Sequence, residues 1–129
     1  NLGSVHAMVV HGQDGLDEIT STESTRISEL KDGNVLTYTI SPADMDITIA
    51  AKEELAGGDK EQNAKITLDI LNGTPGAKRN IVIMNTAAAL MAADKSDSLP
   101  EAAKIAAEAI DSGKARKKLD EIKDISNRL

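Results

Sequence analysis

The run VHAMVV, from Val5 to Val10, limits the possible folds of this chain more than any other stretch. It is short, apolar and rich in β-branched residues, which is typical of a strand buried on both faces in a parallel or mixed sheet. Such a strand needs parallel neighbours, but the rest of the sequence predicts mainly a hairpin and helices. We therefore expect the missing strands to precede Asn1, and we interpret residues 1–129 as a single incomplete domain, the C-terminal part of a larger α/β domain.

A hairpin and about four helices are predicted after this strand. Asp32-Gly33 separates two strand-like stretches, and its tolerance of positive φ is typical of a hairpin turn. Ser41-Pro42 ends the second stretch, because proline cannot donate to a ladder. The sequence then predicts a helix capped by Asp59, an apolar helix over residues 81–93, a helix capped by Ser98 and an amphipathic helix from about Ala115. The expected fold class is α/β with a mixed sheet.

The composition excludes several classes of function. Fifteen basic and 21 acidic residues give a net charge of −6, and the basic residues are scattered, which argues against a nucleic-acid partner. The absence of cysteine rules out disulfides, thiolate zinc sites and a cysteine nucleophile, and it fits a cytoplasmic location. Tyr38 is the only aromatic residue, so base stacking is hard to build. No segment approaches the ~20 apolar residues that span a bilayer, so we expect no membrane partner.

Asp17 and Glu18 are the main candidates for a functional site. They follow the first predicted strand, in a loop that Gly12 and Gly15 make possible. Neighbouring residues of a regular strand point to opposite faces, so this pair can bind one ion only from a loop or a helix start. Magnesium favours one or two carboxylates completed by water and phosphate oxygens, which suits such a pair. Spacing alone leaves a metal site and a solvated acidic turn both open.

Other polar residues have competing structural interpretations. His11, at the end of the strand, is a candidate substrate contact, although a lone histidine there more often fixes a loop by a hydrogen bond. His6, inside the strand, is a weaker candidate. Gly57-Gly58-Asp59 suggests a phosphate loop, but an aspartate cap uses the same amide donors, which favours a structural helix start. Asn85 is most simply a buried amide bonded to backbone.

Five segments together carry a resemblance to a known enzyme family. They are LGSVHAMVVHGQDGLDEIT, the hairpin ELKDG, the stretch ELAGGDKEQNAKITLDILNG, the helix NTAAAL and AIDSGKA. In this order, over nearly the whole chain, they resemble the C-terminal portion of the anthranilate phosphoribosyltransferases. The specific part is HG-x-x-GLDE followed by E-L-K, within a wider group that also holds the pyrimidine nucleoside phosphorylases.

The resemblance implies an enzyme of tryptophan biosynthesis with a larger α/β domain and a small helical domain, the latter absent here, that is usually a homodimer. It implies transfer of the phosphoribosyl group of phosphoribosyl pyrophosphate (PRPP) to anthranilate, with magnesium (Mg2+) on the donor. Asp17 and Glu18 match the magnesium-binding carboxylates of that family, and His11 and Gly12 in the same motif are candidate substrate contacts. We assign no catalytic residue to this chain, because an aromatic amine is a usable nucleophile without strong base assistance.

One departure from the family pattern keeps other functions open. The pyrophosphate loop of the family, G-T-G-G-D, is absent, and Gly57-Gly58-Asp59 is not that loop, because it lacks the preceding G-T and follows the GLDE motif. We therefore expect the isolated chain to be inactive and, with a sheet edge left unpaired, to self-associate. The alternatives are a non-catalytic scaffold or binding domain and part of a pyrimidine nucleoside phosphorylase-like enzyme.

Overall fold

The computed structural model describes residues 3–128 of the chain. A three-stranded sheet is followed in this range by four helices, as the sequence predicted. The strands are β1 (Ala7–Gly12), β2 (Thr25–Lys31) and β3 (Asn34–Ile40), and the helices are α1 (Lys60–Leu71), α2 (Ala77–Ala92), α3 (Leu99–Asp111) and α4 (Lys114–Ser126). Two short 3-10 helices, Pro42–Met45 and Lys52–Leu55, connect the sheet to α1. Within the described residues, no helix has the length and apolar character needed to cross a membrane.

The sheet is an antiparallel meander in the order β1-β2-β3. Val10 lies opposite Ile27, and Ile27 lies opposite Tyr38, so these three side chains share the face that packs on the helices. Within residues 3–128, β1 pairs with antiparallel β2 and Val9 on its outer face is 72% exposed, so burial of β1 on both faces stays a prediction. The β-branched composition indicates a strand, whereas burial of both faces depends on other elements. The parallel neighbours of β1 stay a prediction.

The hairpin between β2 and β3 confirms the turn at Asp32-Gly33. Asp32 has a φ of 50° and Gly33 a φ of 76°. Positive φ at both central residues is what a type I′ turn requires, and the twist of that turn matches the twist of paired strands. β3 ends at Ile40, directly before Ser41-Pro42, as predicted.

Side-chain caps begin α1 and α3, as predicted. Gln62 N donates to Asp59 Oδ1 over 2.8 Å, and Asp59 N donates to Gln62 Oε1 over 3.3 Å, so the capping box of α1 is complete. Ser98 Oγ accepts from Glu101 N at the start of α3, whereas the Glu101 carboxylate accepts from Ser96 Oγ. These caps satisfy amide donors that the first turn of a helix leaves free.

Helix α2 begins at Ala77 and not at Ile81, where the apolar pattern predicted its start. The additional turn contains Arg79, whose Nη2 donates to both carboxylate oxygens of Asp111 in α3 over 2.8 and 2.9 Å. The polar residues of this turn therefore interrupt the apolar pattern without interrupting the helix.

The core lies between the sheet and the pair formed by α2 and α3. Five of its residues are alanines of these two helices, and small side chains let helices pack closely without aromatic filling. The buried apolar residues are Ile19, Ile27, Ile40, Met45, Ile83, Met84, Ala87, Ala88, Leu99, Ala102, Ala103, Ala106 and Ile110. Ile19 belongs to the loop after β1, so this loop is anchored in the core.

Candidate metal-binding site

The loop that follows β1 carries Asp17 and Glu18 on the surface. Both residues are exposed, directly before the fully buried Ile19. No group of three or more metal-ligating side chains forms within residues 3–128. The pair therefore fits a partial magnesium site, in which two carboxylates are completed by water and phosphate oxygens, and it does not fit a closed protein cage.

Asp14 holds this loop together from inside. Its Oδ2 accepts hydrogen bonds from the hydroxyls of Thr20 and Thr22, over 2.6 and 2.5 Å. Its Oδ1 accepts from Leu16 N over 3.1 Å. Burial alone would raise the pKa of Asp14, but the hydrogen bonds, chiefly from Thr20 and Thr22, outweigh that effect and hold the pKa below its usual range. Asp14 is therefore a charged acceptor, and such acceptors make the stronger hydrogen bonds.

Gly12 packs so closely against this network that there is no room for a side chain. A Cβ atom there would lie 2.5 Å from Asp14 Oδ1 and 3.0 Å from Thr20 Cγ2. Gly12 N donates to Leu16 O, and Gly12 O accepts from Gly15 N, both over 2.9 Å. The polar groups of Gly12 are thus used inside the loop, and a substrate contact at this residue stays a prediction.

Asn85 of α2 fixes the far end of the same loop. Its Oδ1 accepts from Ile19 N over 2.9 Å, and its Nδ2 donates to Ile19 O over 2.7 Å. Nδ2 also donates to Ile81 O over 3.0 Å. The predicted bonds between this amide and backbone are confirmed, although the side chain is half-buried. Because Ile19 follows Glu18 directly, α2 contacts the loop beside the carboxylate pair.

Sequence comparison places this domain in a family. The model of the glycosyl transferase family, a/b domain, matches residues 1–116. The chain belongs to this family. The anthranilate phosphoribosyltransferase of Symbiobacterium thermophilum is 47% identical over 129 residues, which are 100% of this chain and 38% of that protein. The anthranilate phosphoribosyltransferase of Methanobrevibacter smithii is 46% identical over 127 residues, 98% of this chain and 38% of that protein. The chain thus spans 38% of the length of these curated relatives.

Solved structures have the same fold as this glycosyl transferase domain. Anthranilate phosphoribosyltransferase from Thermus thermophilus has a TM-score of 0.81 at 32% identity, and the match covers 90% of this chain and 34% of that one. The Saccharomyces cerevisiae enzyme in complex with PRPP and Mg has a TM-score of 0.84 at 23% identity, over 95% of this chain and 35% of that one, a likeness that shows the fold alone. The predicted phosphoribosyltransferase-type α/β fold is confirmed.

Two other candidate binding sites of this glycosyl transferase domain, His11 and the Gly57-Gly58-Asp59 segment, are separate from the carboxylate pair. His11 is exposed on β1, opposite Arg26 of β2, and its substrate contact stays a prediction. Gly58 N donates to Asn63 Oδ1 over 2.9 Å, and Gly58 O accepts from Asn63 Nδ2 over 2.9 Å. The Gly57-Gly58-Asp59 segment is therefore the structural helix start that the sequence favoured.

His6 takes part in an ion-pair cluster. Its side chain is 5% exposed, with Nε2 at 2.8 Å from Glu29 Oε1 and Nδ1 at 2.8 Å from Asp94 Oδ1. The hydrogen bond to Glu29, and to a smaller extent the one to Asp94, raises the pKa of His6 above its ordinary value of 6.5, because both favour the protonated ring. Tyr38 Oη donates to Glu29 Oε2 over 2.9 Å, and burial together with Glu29 raises the pKa of Tyr38 to about 12. The cluster ties the segment before β1 to β2 and to the α2–α3 connection.

The His6 cluster should stabilise the chain most at lower pH. Because the folded-state pKa is raised, its contribution is complete below the unfolded value of 6.5 and is lost as the pH rises through the folded pKa. We expect the native chain to melt above the His6→Gln variant by the largest margin near pH 6, and by a smaller margin near pH 9. Thermal scans at both values test this. A Glu29→Gln background should flatten the dependence, and a margin that does not vary with pH would contradict the assignment.

Asp14 is the residue of the candidate site that sequence reasoning missed. Asp14-Gly15 has the composition of an ordinary turn, and the partners of Asp14 lie six and eight residues further along the chain. The signal that was present is the hydroxyl-rich stretch TSTEST, residues 20–25, directly after an acidic loop. Hydroxyl groups in such a stretch are suitable donors for a half-buried carboxylate.

Proposed function

We propose that the protein containing this chain transfers the phosphoribosyl group of PRPP to the amine of anthranilate and releases pyrophosphate, as a step of tryptophan biosynthesis. The observation that supports this most directly is the 47% identity with an anthranilate phosphoribosyltransferase over 100% of the chain. The carboxylate pair of the β1 loop lies within that matched region and is exposed, as a site for a solvated metal requires.

Asp17 and Glu18 are the residues that we assign to magnesium. When it is bound with PRPP, magnesium neutralises phosphate oxygens of the leaving group. The two carboxylates supply the charge that holds the cation, and the loop between β1 and Ile19 sets their position. His11 and Gly12, at the end of β1, are proposed to contact the substrate beside this pair.

The protein promotes this reaction mainly by positioning the substrates and the charges around them. Departure of pyrophosphate from C1′ leaves positive charge on the ribose and negative charge on the leaving group, so charge placement and orientation carry most of the catalysis. The amine of anthranilate attacks C1′ without a strong base, and no residue of this chain is assigned that role. The contribution of the chain is therefore the charge and the geometry of the GLDE loop.

The isolated chain is proposed to lack transferase activity. It spans 38% of the length of the relative from Symbiobacterium thermophilum. Its 129 residues contain the GLDE loop but not the G-T-G-G-D pattern expected for the pyrophosphate loop. A homodimeric whole protein, self-association of the isolated chain and a cytoplasmic location stay predictions.

A chimeric enzyme tests the function. Residues 1–129 replace the matching 38% of the Symbiobacterium thermophilum relative, and the fluorescence of anthranilate is followed after addition of PRPP and Mg2+. We expect the chimera to consume anthranilate only when PRPP and Mg2+ are both present, and the isolated chain to consume none. The unmodified relative is the positive control. A folded chimera that leaves anthranilate unchanged, beside an active parent, would overturn the proposal.

A further inference from the structure

The backbone on both sides of the Asp17–Glu18 pair is held by a side chain, from Asp14 of the same loop on one side and from Asn85 of α2 on the other. On one side, Leu16 N donates to Asp14 Oδ1 over 3.1 Å. On the other side, both polar backbone groups of Ile19 bond to the Asn85 amide, over 2.9 and 2.7 Å. The carboxylates between these two fixed points remain exposed. The backbone of the loop is thus held in place, and the carboxylate oxygens of Asp17 and Glu18 are exposed to solvent.

Asp14 closes the loop across its base. The hydroxyl of Thr20, a fully buried residue, donates to Asp14 Oδ2 over 2.6 Å, and Thr22 donates to the same oxygen over 2.5 Å. The bond to Leu16 N uses the other carboxylate oxygen. One charged group therefore connects the residue before the carboxylate pair with the segment after it. Removing that group would release both ends at once.

Asn85 connects the loop to the buried core of the fold. Helix α2 packs against α3 in the core, with Met84 and Ala87 on either side of Asn85 along the chain fully buried. A polar amide in such a helix costs stability unless it is hydrogen-bonded, and this one is bonded through Oδ1 and twice through Nδ2. Two of these three bonds go to Ile19. The requirement for an amide at this position comes mainly from the loop.

We propose that Asp14 and Asn85 are positioning residues, which hold Asp17 and Glu18 in the arrangement that the magnesium–PRPP complex needs. This inference rests on the proposed function. A cation that takes two carboxylates from adjacent residues must otherwise order their backbone on binding, and a preformed backbone removes that cost. Groups that orient metal ligands without touching the metal act in this way in other metal sites.

The first test uses the chimera with Asp14→Ala or Asn85→Ala. Each change should raise the Mg2+ concentration for half-maximal transfer by about 10-fold, the usual effect of removing a group that orients metal ligands, while the KM for anthranilate stays nearly constant. Asn63→Ala is the matched control, because Asn63 bonds both polar backbone groups of Gly58 over 2.9 Å at the start of α1. This control should leave the magnesium dependence unchanged.

The second test does not depend on catalysis. In the isolated chain, Mn2+ added as a paramagnetic probe should broaden the amide signals of Asp17 and Glu18 first, and Asn85→Ala should require more Mn2+ for the same broadening. The amide of Ile19 should also exchange with solvent faster in that variant, because its bond to Asn85 Oδ1 is lost. The Asn63→Ala variant should match the native chain in both measurements.

The outcomes separate this inference from the proposed function. An inert chimera carrying the native segment would count against the function, and the Mn2+ and exchange measurements would still decide the positioning role. An active chimera in which Asp17→Asn shifts the magnesium dependence, but folded Asp14→Ala and Asn85→Ala variants do not, would overturn the inference alone. Lower melting temperatures with unchanged metal dependence would give Asp14 and Asn85 a structural role only.

Discussion

Asp17→Asn and Glu18→Gln, each introduced into the chimera, should raise the Mg2+ concentration for half-maximal transfer by about 10- to 100-fold, since changes around metal ligands act on that scale. Each substitution keeps the shape and an oxygen donor but removes the charge that offsets dehydration of the cation. The KM for anthranilate should change little, because the metal is bound with the donor. Magnesium titrations at saturating PRPP measure the first quantity, and anthranilate titrations at saturating Mg2+ measure the second.

Glu23→Gln is the matched control for this experiment. Glu23 is an exposed carboxylate of the same loop and accepts a hydrogen bond from Ser24 N over 3.0 Å. Its neutralisation changes the net charge of the loop by the same amount but should leave the magnesium dependence as it is. The melting temperature should barely move in any of the three variants, because exposed carboxylates contribute little to folding. Unchanged metal dependence with a strongly lowered melting temperature would instead identify Asp17 and Glu18 as an acidic structural turn.

Features set by neighbouring residues were predictable from the sequence. The Asp32-Gly33 turn needs positive φ at two adjacent residues, and the Asp59 cap needs a partner three residues later, so both are encoded locally. Asn85 was predictable for a different reason. A lone amide in an apolar helix must find hydrogen-bond partners, even when the sequence does not say which. The structure shows that the partner of Asn85 is the backbone of Ile19.

Features set by distant residues were not predictable. His6 meets Glu29 and Asp94, which lie 23 and 88 residues away along the chain, so no local pattern indicates its ion pairs. The exposure of Val9 likewise depends on which element lies over the outer face of the sheet, and strand composition carries no such information. Asp14 lies between these cases, because its partners are near in sequence but meet it only when the loop closes.

Gly12→Ala should lower the free energy of unfolding of the chain by about 1–3 kcal/mol, the usual cost of overpacking a filled site. The added Cβ would lie 2.5 Å from Asp14 Oδ1, which cannot withdraw without losing its bond to Leu16 N. It would also lie 3.0 Å from Thr20 Cγ2, on a residue that is fully buried. Gly12 is not among the glycines with positive φ, so the cost is steric rather than conformational.

A double-mutant cycle identifies the source of that cost. Asp14→Ala removes the atom nearest to the new methyl group, so Gly12→Ala should cost less in that background than in the native chain. Gly33→Ala is the matched control: beyond its chain neighbours its Cβ would meet no atom within 4 Å, but its φ of 76° strains any residue with a side chain, so its cost should be similar in both backgrounds. Chemical denaturation of each variant gives the free energies. Equal costs of Gly12→Ala in the two backgrounds would contradict the close packing of Gly12 on Asp14, because the clash would then have to involve other atoms of the loop.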